Sequence, residues 1–250
     1  MQVYPLSEGV FTIGHDKVFV PFDPENEELT DRPTGSLLVE IQPFLIKTES
    51  DLIILDTGLG YETADGEPQI HANLRALGYE PGAVTKVLMS HLHKDHAGGL
   101  MNRIAFGAAI PMFPYATYYI HRQEADYALE KGRPSYHPDE IEPLLQTGQV
   151  QWLEGKKETI APGISWQHSG GHCPGHIVWL LEENGEKIFF GGDEAPQLRQ
   201  LKYHYVAKYD FDGRKAMHLR EKYAARGREE NWQFLFYHDV KTPVATLVPK

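Results

Sequence analysis

Short apolar runs, broken by glycine, proline and acidic turns, recur along the 250-residue chain. In the first third, 10–13 (VFTI) and 17–20 (KVFV) flank a GHD turn. The longer runs 36–47 (SLLVEIQPFLIK) and 51–56 (DLIILD) are joined by TES, and all four are predicted strands. The polar, proline-bounded stretch 21–33 (PFDPENEELTDRP) is a predicted loop with the makings of a lid. Helical spacing over 69–77 ends at Gly78, with Pro81 beyond. A short apolar strand follows at 86–89 (KVLM), and the polar segment SHLHKDHAGGL starts where it ends.

The second half repeats the scheme. Strands are predicted at 116–120, 150–153, 164–168, 177–181, 187–190 and 232–237, and helices at 123–131, 139–145 and 213–226. No internal repeat, low-complexity tract or linker interrupts the chain. Strands in two batches, each followed by helices, predict an α+β fold with two β-rich halves face to face and helices outside. One domain over 1–250 is the expectation for this length.

Composition narrows the function classes. With 24 Lys+Arg against 35 Asp+Glu, the net charge is −11, which disfavours nucleic-acid binding. The start, MQVYPLSEGVFTIGHDK, lacks the pattern of a signal peptide, and no apolar run is of membrane-spanning length. Cys173 has no cysteine partner, so no intrachain disulfide forms and a cytoplasmic location is expected. No membrane partner is expected, and a homodimer is allowed.

The segment HLHKDH (91–96) sets three imidazoles and a carboxylate in six positions. His91 and His93, two apart in extended chain, point to one side about 6–7 Å from each other and can share an ion. Asp95 and His96 fall where the chain turns into a helix and can reach a second ion. Gly98 and Gly99 permit close backbone approach there. Three other polar residues sit at the ends of apolar strands: His172 in SGGHCPGH, Asp193 in KIFFGGDEAP and His238 in FLFYHD. Taken singly, Asp193 reads as a turn cap and His238 as a surface residue. With the first loop they make five His and two Asp, a nitrogen and oxygen donor set suited to two borderline divalent ions.

HLHKDH matches the HxHxDH signature of the metallo-β-lactamase-fold hydrolases, and the order of the remaining residues resembles that superfamily over essentially the whole chain. The resemblance implies a metallo-β-lactamase-like αββα sandwich, two mixed sheets packed face to face. It implies that His91, His93 and His172 hold one metal, that Asp95, His96 and His238 hold the other, and that Asp193 bridges them. LDTG (55–58) also matches, giving Asp56 a supporting role behind the ligand loop; His176 is read as a loop-fixing residue. Zinc is the first expectation for both ions, with iron or manganese as alternatives. The implied reaction is attack by a metal-bridging hydroxide on a carbonyl, with Asp95 orienting the nucleophile and carrying a proton to the leaving group.

Within the superfamily, 113–126 (FPYATYYIHRQEAD) and 208–227 (KYDFDGRKAMHLREKYAARG) look like the N-acyl homoserine lactonase branch. The expected substrate is therefore a small acyl lactone or ester. Many such lactonases carry a substrate-holding tyrosine three residues after the bridging aspartate, where this chain has Pro196; Tyr203 or Tyr205 is the candidate replacement. A glyoxalase II-type thioester hydrolase and an organophosphate or phosphodiester hydrolase remain alternatives, as does an iron-dependent oxidoreductase on the same scaffold. Segments 19–22, 104–119 and 201–211 are expected to overhang the site as an apolar wall that favours uncharged acyl chains.

Overall fold

The computed structural model describes residues 1–104, 109–204 and 206–247. Within them, two six-stranded sheets lie face to face. The first runs Gln2–Pro5, Phe44–Lys47, Leu52–Leu55, Lys86–Leu88, Thr117–His121 and Val150–Leu153, antiparallel at the start and parallel from Leu52–Leu55 onward. The second runs Lys157–Ala161, Ile164–His168, Ile177–Glu183, Glu186–Phe190, Gln233–Leu235 and Val244–Thr246, and only the Glu186–Phe190/Gln233–Leu235 pair in it is parallel.

Side-chain alternation builds the layers. Ile53 and Leu55 join Phe44, Trp179, Phe190 and Leu235 in the core between the sheets. Ile54, between them in sequence, points outward and packs with Leu74, Ala128 and Leu144 of the helices Gln69–Ala76, Arg122–Lys131 and Pro138–Leu145. In the second sheet Phe190 faces inward while Phe189 packs outward with Tyr223 and Ala224 of the helix Gly213–Glu229. Burial on both faces is why these strands read as unbroken apolar runs. The architecture is the expected αββα sandwich.

Several sequence expectations are revised. The run 36–47 is two strands: Leu37–Ile41 pairs with Gly9–Ile13 in a separate three-stranded sheet, and Phe44–Lys47 joins the first large sheet. Pro43, lacking an N–H, lies at the break. The strand expected from 17 begins at Phe19, because Lys17 turns through a left-handed φ of 62°. Lys157–Ala161 was not foreseen: an edge strand in contact with water, it is too polar to show an apolar run.

The polar loops gather at one end of the sandwich. Leu52–Leu55 and Lys86–Leu88 run parallel, so Asp56 and the 90–96 loop leave their sheet together, with Asp56 N–H donating to Leu88 O at 3.2 Å. The second sheet meets this end through Ile177 N–H to Ser90 O, 2.9 Å. The double glycine behaves as expected. Gly98 N–H and Gly99 N–H donate to Gly58 O at 2.9 and 3.3 Å, and a Cβ on Gly99 would lie 2.2 Å from Thr57 O. Only glycine fits there.

Candidate metal centre

His91 and His93 are extended, and Lys94–Ala97 then turns into one helical turn that swings Asp95 and His96 aside. His91 Nε2 lies 2.9 Å from His93 Nδ1, and His172 Nε2 lies 3.0 Å from the same atom. These three residues and Asp193 place ligand atoms within 4.8 Å of one another; so do Asp95, His96 and His238 in a second group. Asp193 joins the two. Its Oδ2 is 3.3 Å from His172 Nε2, and its Oδ1 is 3.2 Å from His96 Nε2 and 3.0 Å from His238 Nε2. The other carboxylate, Asp95 Oδ2, stands 3.5 Å from His238 Nε2 and 3.8 Å from His96 Nε2.

The outer ring nitrogens explain how the imidazoles are aimed. His96 Nδ1 donates to Asp56 Oδ2 at 2.8 Å, His172 Nδ1 to Asp210 Oδ1 at 3.0 Å and His238 Nδ1 to Glu40 O at 2.7 Å. Each partner is an acceptor only, so each assigns the proton to Nδ1 and turns Nε2 inward. His91 reaches the same result through a relay: Ser90 Oγ donates to Asp56 Oδ2 at 2.6 Å and is left to accept from His91 Nδ1 at 3.0 Å. Asp56 is fully buried and holds a left-handed φ of 54°, a strained backbone at the residue that aims two of the imidazoles. His176 sits behind His91, ring centroids 4.9 Å apart, with its Nδ1 on Ser169 Oγ at 2.8 Å, outside both ligand groups.

Burial holds His91 and His93 well below the ordinary imidazole range, and neighbouring imidazoles reinforce it, so both keep a lone pair at neutral pH. Burial also works against charge on His96, His172 and His238, but the Asp193 carboxylate overcomes it and raises all three. Asp193 in turn lies well below the carboxylate range: burial opposes this, and His238, His96 and His172 outweigh it. His96 Nε2 and Asp193 Oδ1 are buried and face each other without hydrogen-bond geometry. Converging, inward-aimed ring nitrogens around one anionic oxygen pair, where a divalent ion would take the place of the proton, fit a binuclear divalent site.

The centre floors a cleft of about 600 Å³. Ile13, Phe19, Leu37, Leu38, Val39, Val206 and Ala207 form its apolar part, and Tyr209 stands with its ring 6.0 Å from His172. Of the segments expected to overhang it, Phe19 and 206–209 do line the cleft. The described part of 104–119 does not: Met112, Phe113, Ala116 and Tyr118 turn into the core against the helices. Residues 105–108 lie outside the described residues. Nor is the wall purely apolar, since Lys17, Lys94 and Lys208 line it as well. The expected tyrosine is not brought in. Tyr203 is 62% exposed, with the Arg199 guanidinium 5.7 Å from its ring centre, and Tyr205 lies outside the described residues.

Sequence reasoning passed over the residues that hold this centre from behind. Asp210, which orients His172, is itself held by Arg220 Nη2 at 2.6 Å, and Arg220 Nε donates to Glu194 O at 2.9 Å. Glu194 Oε2 accepts from Gly171 N–H and His172 N–H at 3.1 and 3.3 Å, and Glu124 Oε1 accepts from Leu92 N–H at 3.0 Å. The one sequence signal that touches Asp210 and Arg220 is the segment 208–227, whose likeness to the lactonase branch does not single them out.

The geometry agrees with comparisons to known proteins. A family model described as the metallo-β-lactamase superfamily matches residues 40–229. An N-acyl homoserine lactonase of Bacillus cereus is 26% identical over 235 residues, covering 86% of this chain and 87% of that protein. A probable metal-dependent hydrolase from Staphylococcus aureus superposes with a TM-score of 0.77 at 21% identity, covering 100% of this chain and 96% of that one. AidC, a dizinc quorum-quenching lactonase solved with a product, gives a TM-score of 0.72 at 19% identity, covering 99% and 90%.

Proposed function

The chain belongs to the metallo-β-lactamase superfamily and is a metal-dependent hydrolase; from that premise we propose that it opens an acyl lactone or a related carboxylic ester with two divalent ions, zinc first. The observation that carries the binuclear part is Asp193, whose two oxygens are divided between His172 on one side and His96 and His238 on the other. We assign His91, His93 and His172 to one ion, Asp95, His96 and His238 to the second, and Asp193 to both. Such a pair, when bound, supplies Lewis acidity that brings the pKa of a water toward about 7 and polarises a carbonyl.

The chain's own residues do the rest. Asp95 is the one carboxylate of the second group that is not divided between both, and it lines the cleft. There it accepts the proton of the attacking water and returns it to the alkoxide released from the carbonyl carbon, so the products are an alcohol and a carboxylic acid, which gives its own proton to solvent as the carboxylate forms. Asp56, Asp210 and the Glu40 carbonyl keep their imidazoles from turning as charge develops. The apolar part of the cleft takes the acyl chain, at roughly 0.8 kcal/mol for each methylene buried.

Similarity to the B. cereus lactonase and the size of the cleft support the lactone over a larger substrate. The test is ring opening of short- to long-chain N-acyl homoserine lactones, followed by a pH indicator, beside lactoylglutathione, a phosphodiester and an organophosphate triester. The expected result is the highest kcat/KM on a lactone, rising with acyl length until the cleft is full. A preference for the thioester or a phosphoester, with both metals bound, overturns the lactone reading.

A further inference from the structure

Three lysines converge on the cleft of a chain that carries a net charge of −11. Lys94 stands between two proposed ligands, His93 and Asp95, and its side chain reaches across to the 9–21 hairpin. There the ammonium lies 5.4 Å from the Phe19 ring centre and donates to the Lys17 carbonyl. Lys17 lines the same wall, and Lys208 lines it from the loop that carries Tyr209. Among the described residues none of the three forms an ion pair, whereas Lys86 and Lys187 elsewhere do. The acid on the hairpin, Asp16, accepts from Val18 N–H at its Oδ1, 3.1 Å, and faces Lys94 as an opposite charge without forming an ion pair with it. Asp95 and Asp193, the carboxylates in the cleft, belong to the ligand groups.

The acids that act on Lys94 are Asp95, a proposed ligand, and Asp16; Lys17 and Arg133 act against them, so positive charge stays in excess on this wall. A Lys ammonium has three donors, and Lys94 spends one on the hairpin carbonyl. All three lysines line the cleft. Resting on the reading of this cleft as a lactone- or ester-hydrolysing site, we propose that its substrate carries an anionic group, a carboxylate or a phosphate, remote from the scissile carbonyl, and that Lys94 and Lys17, with Lys208, receive it. The lysines are then specificity-determining residues. They hold one end of the substrate while the apolar wall between them and the ligand groups takes the intervening chain. They also concentrate an anion that the rest of the molecule repels.

The test uses binding as well as turnover. Hexanoate, adipate and 6-phosphonohexanoate are titrated calorimetrically into the metal-loaded protein, and N-hexanoyl and N-adipoyl homoserine lactone are compared as substrates. Adipate is expected to bind roughly ten-fold tighter than hexanoate, well above the two-fold that a second identical carboxylate gives by statistics. Comparison with the phosphonate shows which anion is preferred. The advantage should shrink toward the statistical limit in Lys94→Met and Lys17→Met, and in the unmodified protein at about 0.5 M salt, where screening acts within a few Å. If Lys94→Met does not fold, Lys17→Met, Lys208→Met and the salt series carry the same comparison. Equal binding of adipate and hexanoate, or an advantage that persists in the variants and in salt, overturns the proposal. An adipate advantage with neither lactone hydrolysed removes the lactone reading and leaves the anion subsite. Lactone hydrolysis without the advantage does the reverse.

Discussion

Replacing the Asp193 carboxylate by an amide exchanges one oxygen for a nitrogen that cannot serve as an anionic ligand. Both Asp193 oxygens are in use, one toward His172 and one toward His96 and His238. Asp193→Asn is therefore expected to lower metal retention and turnover together, by about 10²-fold or more in kcat. Elemental analysis beside steady-state rates checks it. Near-normal rates with two metals retained would take Asp193 out of the centre. The residue was open to a plain reading as a turn cap from sequence. What separates the two readings is the set of three imidazoles arriving from other loops, and no local pattern announces that. Asp56 was legible as a supporting residue through LDTG, yet its strained φ and its relay through Ser90 to His91 belong to the folded chain alone.

At the scale of elements, the ligand loop depends on its neighbour. The 57–61 loop accepts Gly98 and Gly99 at its Gly58 carbonyl, and it is held by Glu8, whose carboxylate accepts from Leu59 N–H at 2.6 Å and Gly60 N–H at 3.2 Å. Burial raises the Glu8 carboxyl to about 7, against the lowering effect of those donors. Because the folded value lies above the unfolded one, the fold binds this proton more tightly than the open chain does. That contribution is full below the unfolded pKa of 4.5 and is lost as pH rises through about 7. Glu8→Gln, which cannot ionise, should thus gain thermal stability relative to the unmodified protein between pH 5 and pH 8, with a slope of at most about 1.4 kcal/mol per unit. Melting curves across that range measure it; parallel curves for the two proteins would remove Glu8 from the pH dependence. Strands buried on both faces were easy to place from sequence. The edge strands Gln2–Pro5 and Lys157–Ala161 were not, since contact with water relaxes the need for apolar residues.

For the whole molecule, the candidate centre lies between the sheets and would clamp them with metal bound. His91, His93, Asp95 and His96 follow a strand of the first sheet, while His172, Asp193 and His238 follow strands of the second. Metal binding at such a site favours the folded chain over the unfolded one, where the ligands are far apart. We expect about two equivalents of divalent metal after gentle purification, and removal by a chelator should lower Tm by several degrees and restore it on re-addition. A single equivalent that added metal cannot raise, with full activity, would end the binuclear reading; an unchanged Tm would show that the sheets hold without the clamp.

Local chemistry was enough to reveal the donor types, the strands they follow and the glycines that let loops touch. An imidazole, a carboxylate or a Cβ-free residue leaves its mark in the letters themselves, and HLHKDH packs four candidate ligands of two types into six positions. Which carboxylate faces two imidazole groups, which residue fixes each tautomer, and which side chains wall the cleft were decided only by the tertiary structure. Segment 109–119 shows why. Its apolar residues could have covered the site or the helices; the register of Thr117–His121 against Lys86–Leu88 sends Tyr118 to the helices, and Met112 and Phe113 pack in the same cluster. The hairpin at 9–21, with Leu37–Val39 and 206–207, then supplies the wall, and with the hairpin come Lys17 and the hold on Lys94. A side chain's neighbours depend on which face of which sheet it occupies, and that is a property of pairing between distant segments.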